Sequence, residues 1–168
     1  VEKNMAVDMF IKLGDIKGES QDKTHKEEID VLAWSWGLNQ SGTMHMGTGG
    51  GAGKVSVQDI SFTKYVDKAT PTIIAACCKG THVDSVILTV RKAGGDNPLE
   101  YYKLTLTAVL ISSYSTGGSG GEERFTENVT LNFEQFHIEY QPQNAKGAKE
   151  GGVVEAKWNI VKNDATNG

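Results

Sequence analysis

The chain has 168 residues, 38% hydrophobic and 23% charged, enough for one soluble domain with a sizeable core. Its net charge of −4 excludes a general nucleic-acid binder, which needs a basic face. No apolar run approaches the roughly 20 residues of a transmembrane span, and no charged-then-apolar leader opens the chain. Neither membrane insertion nor general secretory export is therefore expected. The two cysteines, Cys77 and Cys78, are adjacent, cannot staple distant segments, and fit a reducing compartment such as the cytoplasm. Residues 1–4 precede Met5 and are set aside as an addition or upstream extension. The domain is read as 5–163, with a polar tail over 164–168.

Apolar and polar residues alternate over 9–13 and stop at Gly14, a first strand. Residues 17–28 are polar and charged, a surface loop by composition. A second strand is expected over 29–38 and a third over 55–64. The apolar phase changes between Val57 and Ile60, which predicts a bulge near Gln58 and Asp59. Residues 37–53, read as a long extended loop, hold seven of the chain's 20 glycines. So long a connection is usually functional or disordered, and its glycines make it costly to order. Met44, His45 and Met46 give it an apolar tip that a solvent linker does not need. Gly42, Gly49, Gly50 and Gly51 complete an arm that a neighbouring subunit is expected to order.

One helix is predicted, over 70–79. Thr70 serves as N-cap, Pro71 as first helical residue, Lys79 completes the last turn and Gly80 ends it. Ile73, Ile74 and Cys77 are expected on its buried face. Strands resume over 85–92, 99–114, 128–140 and 156–160. Within 128–140 the alternation slips between Phe133 and Phe136, which predicts a second bulge near Glu134 and Gln135. Many strands and one helix give a mainly β fold: a single-domain β-barrel of two packed antiparallel sheets with one flanking α-helix.

Several motif matches lack the context their chemistry requires. Residues 117–121 satisfy G-x-S-x-G, but a strand pattern comes next where a serine hydrolase using Ser119 needs a helix. Residues 48–55 resemble a phosphate-binding loop, yet Thr48 replaces the first glycine and Val55 the magnesium-binding hydroxyl. Met44, His45 and Met46 offer soft ligands, but apolar packing at an arm tip accounts for them. His25, His82 and His137 lack the paired spacing of a zinc site. No cofactor, metal or catalytic residue is assigned.

An ordered series of segments carries a resemblance to a known family. It comprises Met5 to Lys12; Gly18, Glu19 and Ser20 with Asp22 and His25; Ile29 to Gly37; and Lys54-Val55 through Tyr65. Ser113 to Gly121, Asn128 to Phe133, and Tyr140 to Gln143 complete it. Together they resemble the haemolysin-coregulated protein family, Hcp, the inner-tube subunits of bacterial type VI secretion systems. The resemblance implies a β-barrel assembled as a homo-hexameric ring, with rings stacked into a tube. It implies cytoplasmic assembly inside a contractile sheath, a VgrG-like spike protein at the tip, and secretion into the medium or a target cell. Effector proteins are expected in the ring lumen. A phage-type tail-tube protein is the alternative within the same architecture.

Alternation in the second strand separates Val31, Ala33 and Ser35 from Leu32, Trp34 and Trp36. The indoles are expected in the core or a subunit seam. Ser35, on the small face, is the candidate for contact with cargo in the lumen. The glycine arm is the candidate for contact between subunits or stacked rings.

Overall fold

The computed structural model describes residues 6–45, 47, 51–93 and 96–165. Three long strands form its spine: β7 (His82–Lys92), β8 (Glu100–Thr116) and β9 (Thr126–Tyr140), each antiparallel to the next. Strand β1 (Val7–Leu13) adds to the free side of β7, with Leu13 opposite Val86. Beyond β9 the sheet divides. The first half of β9 pairs with β6 (Ile60–Tyr65), and its second half pairs with β10 (Val154–Asn159).

One stretch of chain closes the curl. Strand β2 (Ile29–Asp30) pairs with β1, and the Val31 N–H donates to the Met9 carbonyl at 3.0 Å. The Leu32 N–H then donates to the Thr63 carbonyl at 2.8 Å, and β3 (Ala33–Ser35) continues along β6. Residues 29–35 thus hydrogen-bond to both ends of a single curled sheet and cover part of each edge strand. The structure therefore differs from the expected pair of packed sheets and from a single strand over 29–38. The partner changes between Val31 and Leu32, and the facing changes with it. Val31 is buried and Leu32 is 41% exposed, the reverse of the facing that simple alternation predicts for both.

Inside the curl lie Ile11, Leu13, Ile29, Ile60, Phe62, Leu88, Leu104, Leu106, Val129 and Leu131, all essentially inaccessible. Helix α1 (Thr70–Lys79) packs against β8 through Ile73 and Ala76. Fully burying Ile73 contributes roughly 1.5–3 kcal/mol. Ile74 faces solvent instead of sharing that face. The N-cap is Ala69, which has no capping side chain, so Thr70 is already helical. Its hydroxyl is used elsewhere, accepting from the Asp67 N–H and donating to Glu127. Gly80 does end the helix, at a φ of 61°, where an L side chain is disfavoured.

The predicted slip in β9 is real, but its cause differs. The β8–β9 register runs unshifted from Tyr102 opposite Tyr140 to Ile111 opposite Leu131. Both strands change phase together where Ala108, with a φ of 54°, lies at the level of Glu134. The extra residue sits further on, at Ser112 of β8, between Ile111 and Ser113. At Gln58 and Asp59 the chain leaves one sheet for another: β5 (Ala52–Val57) ends there and β6 begins.

Candidate functional site

Where β3, β6, β9 and β8 run side by side at the level of Trp34, the inward residues are large and the outward residues of the neighbouring levels are small. Trp34, Phe62, Val129 and Tyr114 lie at one level and point inward. Trp34 stacks on Tyr102 at 5.4 Å between ring centres, and Trp36 meets Phe136 edge-on at 4.9 Å. The indoles therefore lie against the core, as expected. On the other face Ser35, Ser61, Thr130 and Ser113 form one row across the four strands. Ala33, Thr63, Asn128 and Ser115 form the next.

The rows are knit by neutral hydrogen bonds. The Ser61 and Thr130 hydroxyls are 2.9 Å apart, and Thr63 donates to Asn128 Oδ1 at 2.6 Å. Asp59 brings a carboxylate to the rim, where it accepts from Ser112 Oγ and Asn132 Nδ2, both at 2.8 Å. The surface has no formal charge in its two central rows and no side chain larger than asparagine. Ser35 is exposed within it.

The second surface is the arm. Most of the region read as an extended loop is a hairpin: β4 (Leu38–Gly42) pairs antiparallel with β5, Leu38 opposite Val57 and Gln40 opposite Val55. Only residues 43–51 connect them. The Trp36 indole N–H donates to the Gln58 carbonyl at 2.9 Å and the Gln58 N–H to the Gly37 carbonyl at 3.0 Å, which clasps the root. Near the tip, Thr43 Oγ1 donates to the Gly51 carbonyl at 3.0 Å. Every residue of β4 is exposed, Leu38 at 47%, and Met44 is 80% exposed. Gly42, His45 and Gly51 are exposed as well, while Met46, Gly49 and Gly50 lie outside the described residues. At Gly53 the two strands approach so closely that an added Cβ would lie 2.1 Å from Ser41 Oγ. The hairpin was not legible because β4 has no buried residue and so carries no apolar alternation, although Val55 and Val57 of β5 do alternate with exposed Lys54 and Ser56.

Two charged clusters were also missed. Lys64 of β6 and Glu127 of β9 are fully buried and ion-paired. Lys64 Nζ also donates to Asp67 and to the Tyr65 carbonyl, both at 2.8 Å, and Tyr114 donates to Glu127 Oε2 at 2.7 Å. Burial, together with this bond to a carboxylate, pushes the Tyr114 phenol up from its ordinary value. The second cluster fixes the loop before β2. Arg91 pairs with Asp22 and with Asp8, and lies 4.9 Å above the Phe10 ring. Chain periodicity places Lys64 inward, but only the fold brings its partner alongside.

Ser119 sits in the exposed turn between β8 and β9. The chain runs from that turn into strand β9, so the strand–turn–helix setting of a nucleophile elbow is not formed.

The architecture is a curled antiparallel sheet with a projecting two-stranded hairpin. The family described as "Type VI secretion system effector, Hcp" matches residues 10–140. A curated relative, Protein hcp1 of Pseudomonas aeruginosa, is 68% identical over 95% of this chain and 98% of its own length. The crystal structure of Hcp1 from Salmonella typhimurium is 39% identical, with a TM-score of 0.79, over 96% of this chain and all of that one. A solved type six secretion system protein is 31% identical with a TM-score of 0.88, again over 96% of this chain and all of that one. The chain belongs to the Hcp family of type VI secretion proteins.

Proposed function

We propose that this chain is a ring-forming subunit of the type VI secretion tube, with the serine and threonine face turned to the bore and the hairpin arm reaching the next ring or subunit. The observation that carries the reading is an uncharged face of small side chains beside an exposed arm, in a chain of the Hcp family. A closed ring needs two different patches that meet head to tail with a rotation that closes. Small residues at the bore leave room for cargo, and hydroxyls and amides present donors and acceptors to any polar protein surface.

In this reading effector proteins ride in the bore, a spike protein caps the stacked rings, and a contractile sheath surrounds them during cytoplasmic assembly. The tube is then secreted into the medium or a target cell. The subunit acts through the shape it makes with copies of itself and does no bond-breaking.

Sedimentation and electron microscopy of the purified protein test the assembly. Annular particles of six subunits are expected, and a single-chain mass at every concentration overturns it. The bore assignment has its own test. Ser35→Gln places a longer amide on the proposed cargo face. It should weaken effector retention while rings form normally, and unchanged retention with intact rings would remove Ser35 from the bore.

A further inference from the structure

The register of β9 and β10 assembles a ligand set that neither proposed surface includes. His137 and Glu139 are two residues apart on β9 and so share a face of the sheet. Glu155 of β10 is directly opposite Glu139. One ligating atom from each of the three lies within 4.8 Å of the others, and His137 Nε2 is 2.7 Å from Glu155 Oε2. His137 and Glu139 are half-buried, which limits the rotamers they sample, while Glu155 is exposed and free to adjust. Two ammonium groups border the set, Lys103 at 3.9 Å from Glu139 and Lys157 at 3.8 Å from Glu155. Both lysines are substantially exposed and able to swing into solvent.

We propose that His137, Glu139 and Glu155 form a site for a divalent transition-metal ion, zinc foremost. One imidazole nitrogen and two carboxylates are an N/O donor set suited to zinc, and three protein ligands leave a fourth position for water. Calcium and magnesium favour all-oxygen shells, so the imidazole selects against them. The ion replaces the lysines as counter-charge to the carboxylates. It also has a mechanical effect. Among the described residues β10 pairs with β9 alone, and residues 154–157 are all exposed. A metal bridging Glu155 to His137 and Glu139 pins this strand across the ladder. Sequence spacing hides the set, because Glu155 is 18 residues from His137 and arrives only through strand pairing.

Calorimetric titration of zinc chloride into the intact protein in metal-free buffer is the test. One ion per subunit is expected, with calcium and magnesium giving no comparable binding. His137→Gln and Glu155→Gln should each weaken zinc by about a hundredfold or more, since even residues behind a ligand are worth 10–100-fold. Zinc binding that persists in both variants places it at other histidines or at the cysteines and overturns the site. Cobalt spectra without a thiolate band in the unmodified protein exclude the cysteines directly. If either variant fails to fold, Lys157→Gln decides: removing the competing ammonium should tighten zinc severalfold, and unchanged affinity overturns the proposal.

Discussion

Strands β6 and β4 are six and five residues long, and each is paired antiparallel, yet they are opposites. β6 has β9 on one side and β3 on the other, and Ile60, Phe62 and Lys64 alternate into the interior. β4 has one partner, β5, and not one of its residues is buried. Ladder hydrogen bonds are common to both. What separates them is an inner face: burial supplies the net stabilisation, because paired amides mostly replace hydrogen bonds to water. A two-stranded hairpin without a hydrophobic face is marginal in water. The barrel is therefore self-sufficient, whereas the arm, in the function proposed above, is completed by a neighbouring subunit.

The largest way to break this contrast is at Lys64. Lys64→Met leaves Glu127 buried without its cation, and removing one partner of such a pair costs about 3–5 kcal/mol. Urea denaturation should show that loss, and Glu127→Gln should show a smaller one in the same direction. A double Lys64→Met, Glu127→Leu variant should recover much of it, since an apolar pair of similar size can replace a buried ion pair. A single Lys64 variant as stable as the parent would show that this end of the barrel admits water and is not the closed interior described.

A milder effect is expected at the second ionic cluster. The Arg91 guanidinium beside Asp22, helped by the Thr24 and His25 N–H groups, holds the Asp22 carboxyl well below the usual carboxylate range. The ionised form is thus favoured in the folded state. Its contribution is fully present above the unfolded carboxylate value of about 4 and is lost as pH falls below it. Asp22→Asn should cost roughly 1–2 kcal/mol at neutral pH, from the hydrogen bonds to a charged partner that it weakens. It should also flatten the fall in stability on the acid side of pH ~4. Urea midpoints measured from pH 7 downward check both; equal acid slopes in the two proteins would assign the acid sensitivity elsewhere.

These residues also show where the sequence is readable. Ile73 could be placed inward and Gly80 at the helix end because each obeys a local rule, helical period in one case and a left-handed cap in the other. Val31 and Leu32 could not be oriented, since both are apolar and the change of partner between them leaves no mark in the pattern. Lys64 occupies an inward position by alternation, but a charge there looks like a strand end until Glu127, 63 residues later, is brought beside it. Ser35 was separable from Trp34 by alternation alone. The row it joins with Ser61, Thr130 and Ser113 depends on register across four strands, which no single stretch encodes.

The smallest effect on folding, and the largest on assembly, is expected in the arm. Removing residues 47–51 takes away four glycines and one threonine, so the unfolding free energy should stay within about 0.5 kcal/mol of the parent, as for surface changes generally. The same deletion should abolish tube formation in sedimentation and electron microscopy while leaving the barrel folded. Ordering the arm costs about 1–2 kcal/mol per fixed residue, and contact with a neighbour has to offset that. Met44, 80% exposed in the single subunit, is the side chain best placed to do so, since burying a methionine contributes roughly 1.5–3 kcal/mol. Met44→Ser should therefore shift the tube equilibrium toward shorter assemblies without touching the urea midpoint. Tubes of normal length from the deletion variant would show that the arm is dispensable. A loss of barrel stability above about 2 kcal/mol, beyond what surface changes produce, would instead make the arm part of the fold and erase the difference between β4 and β6.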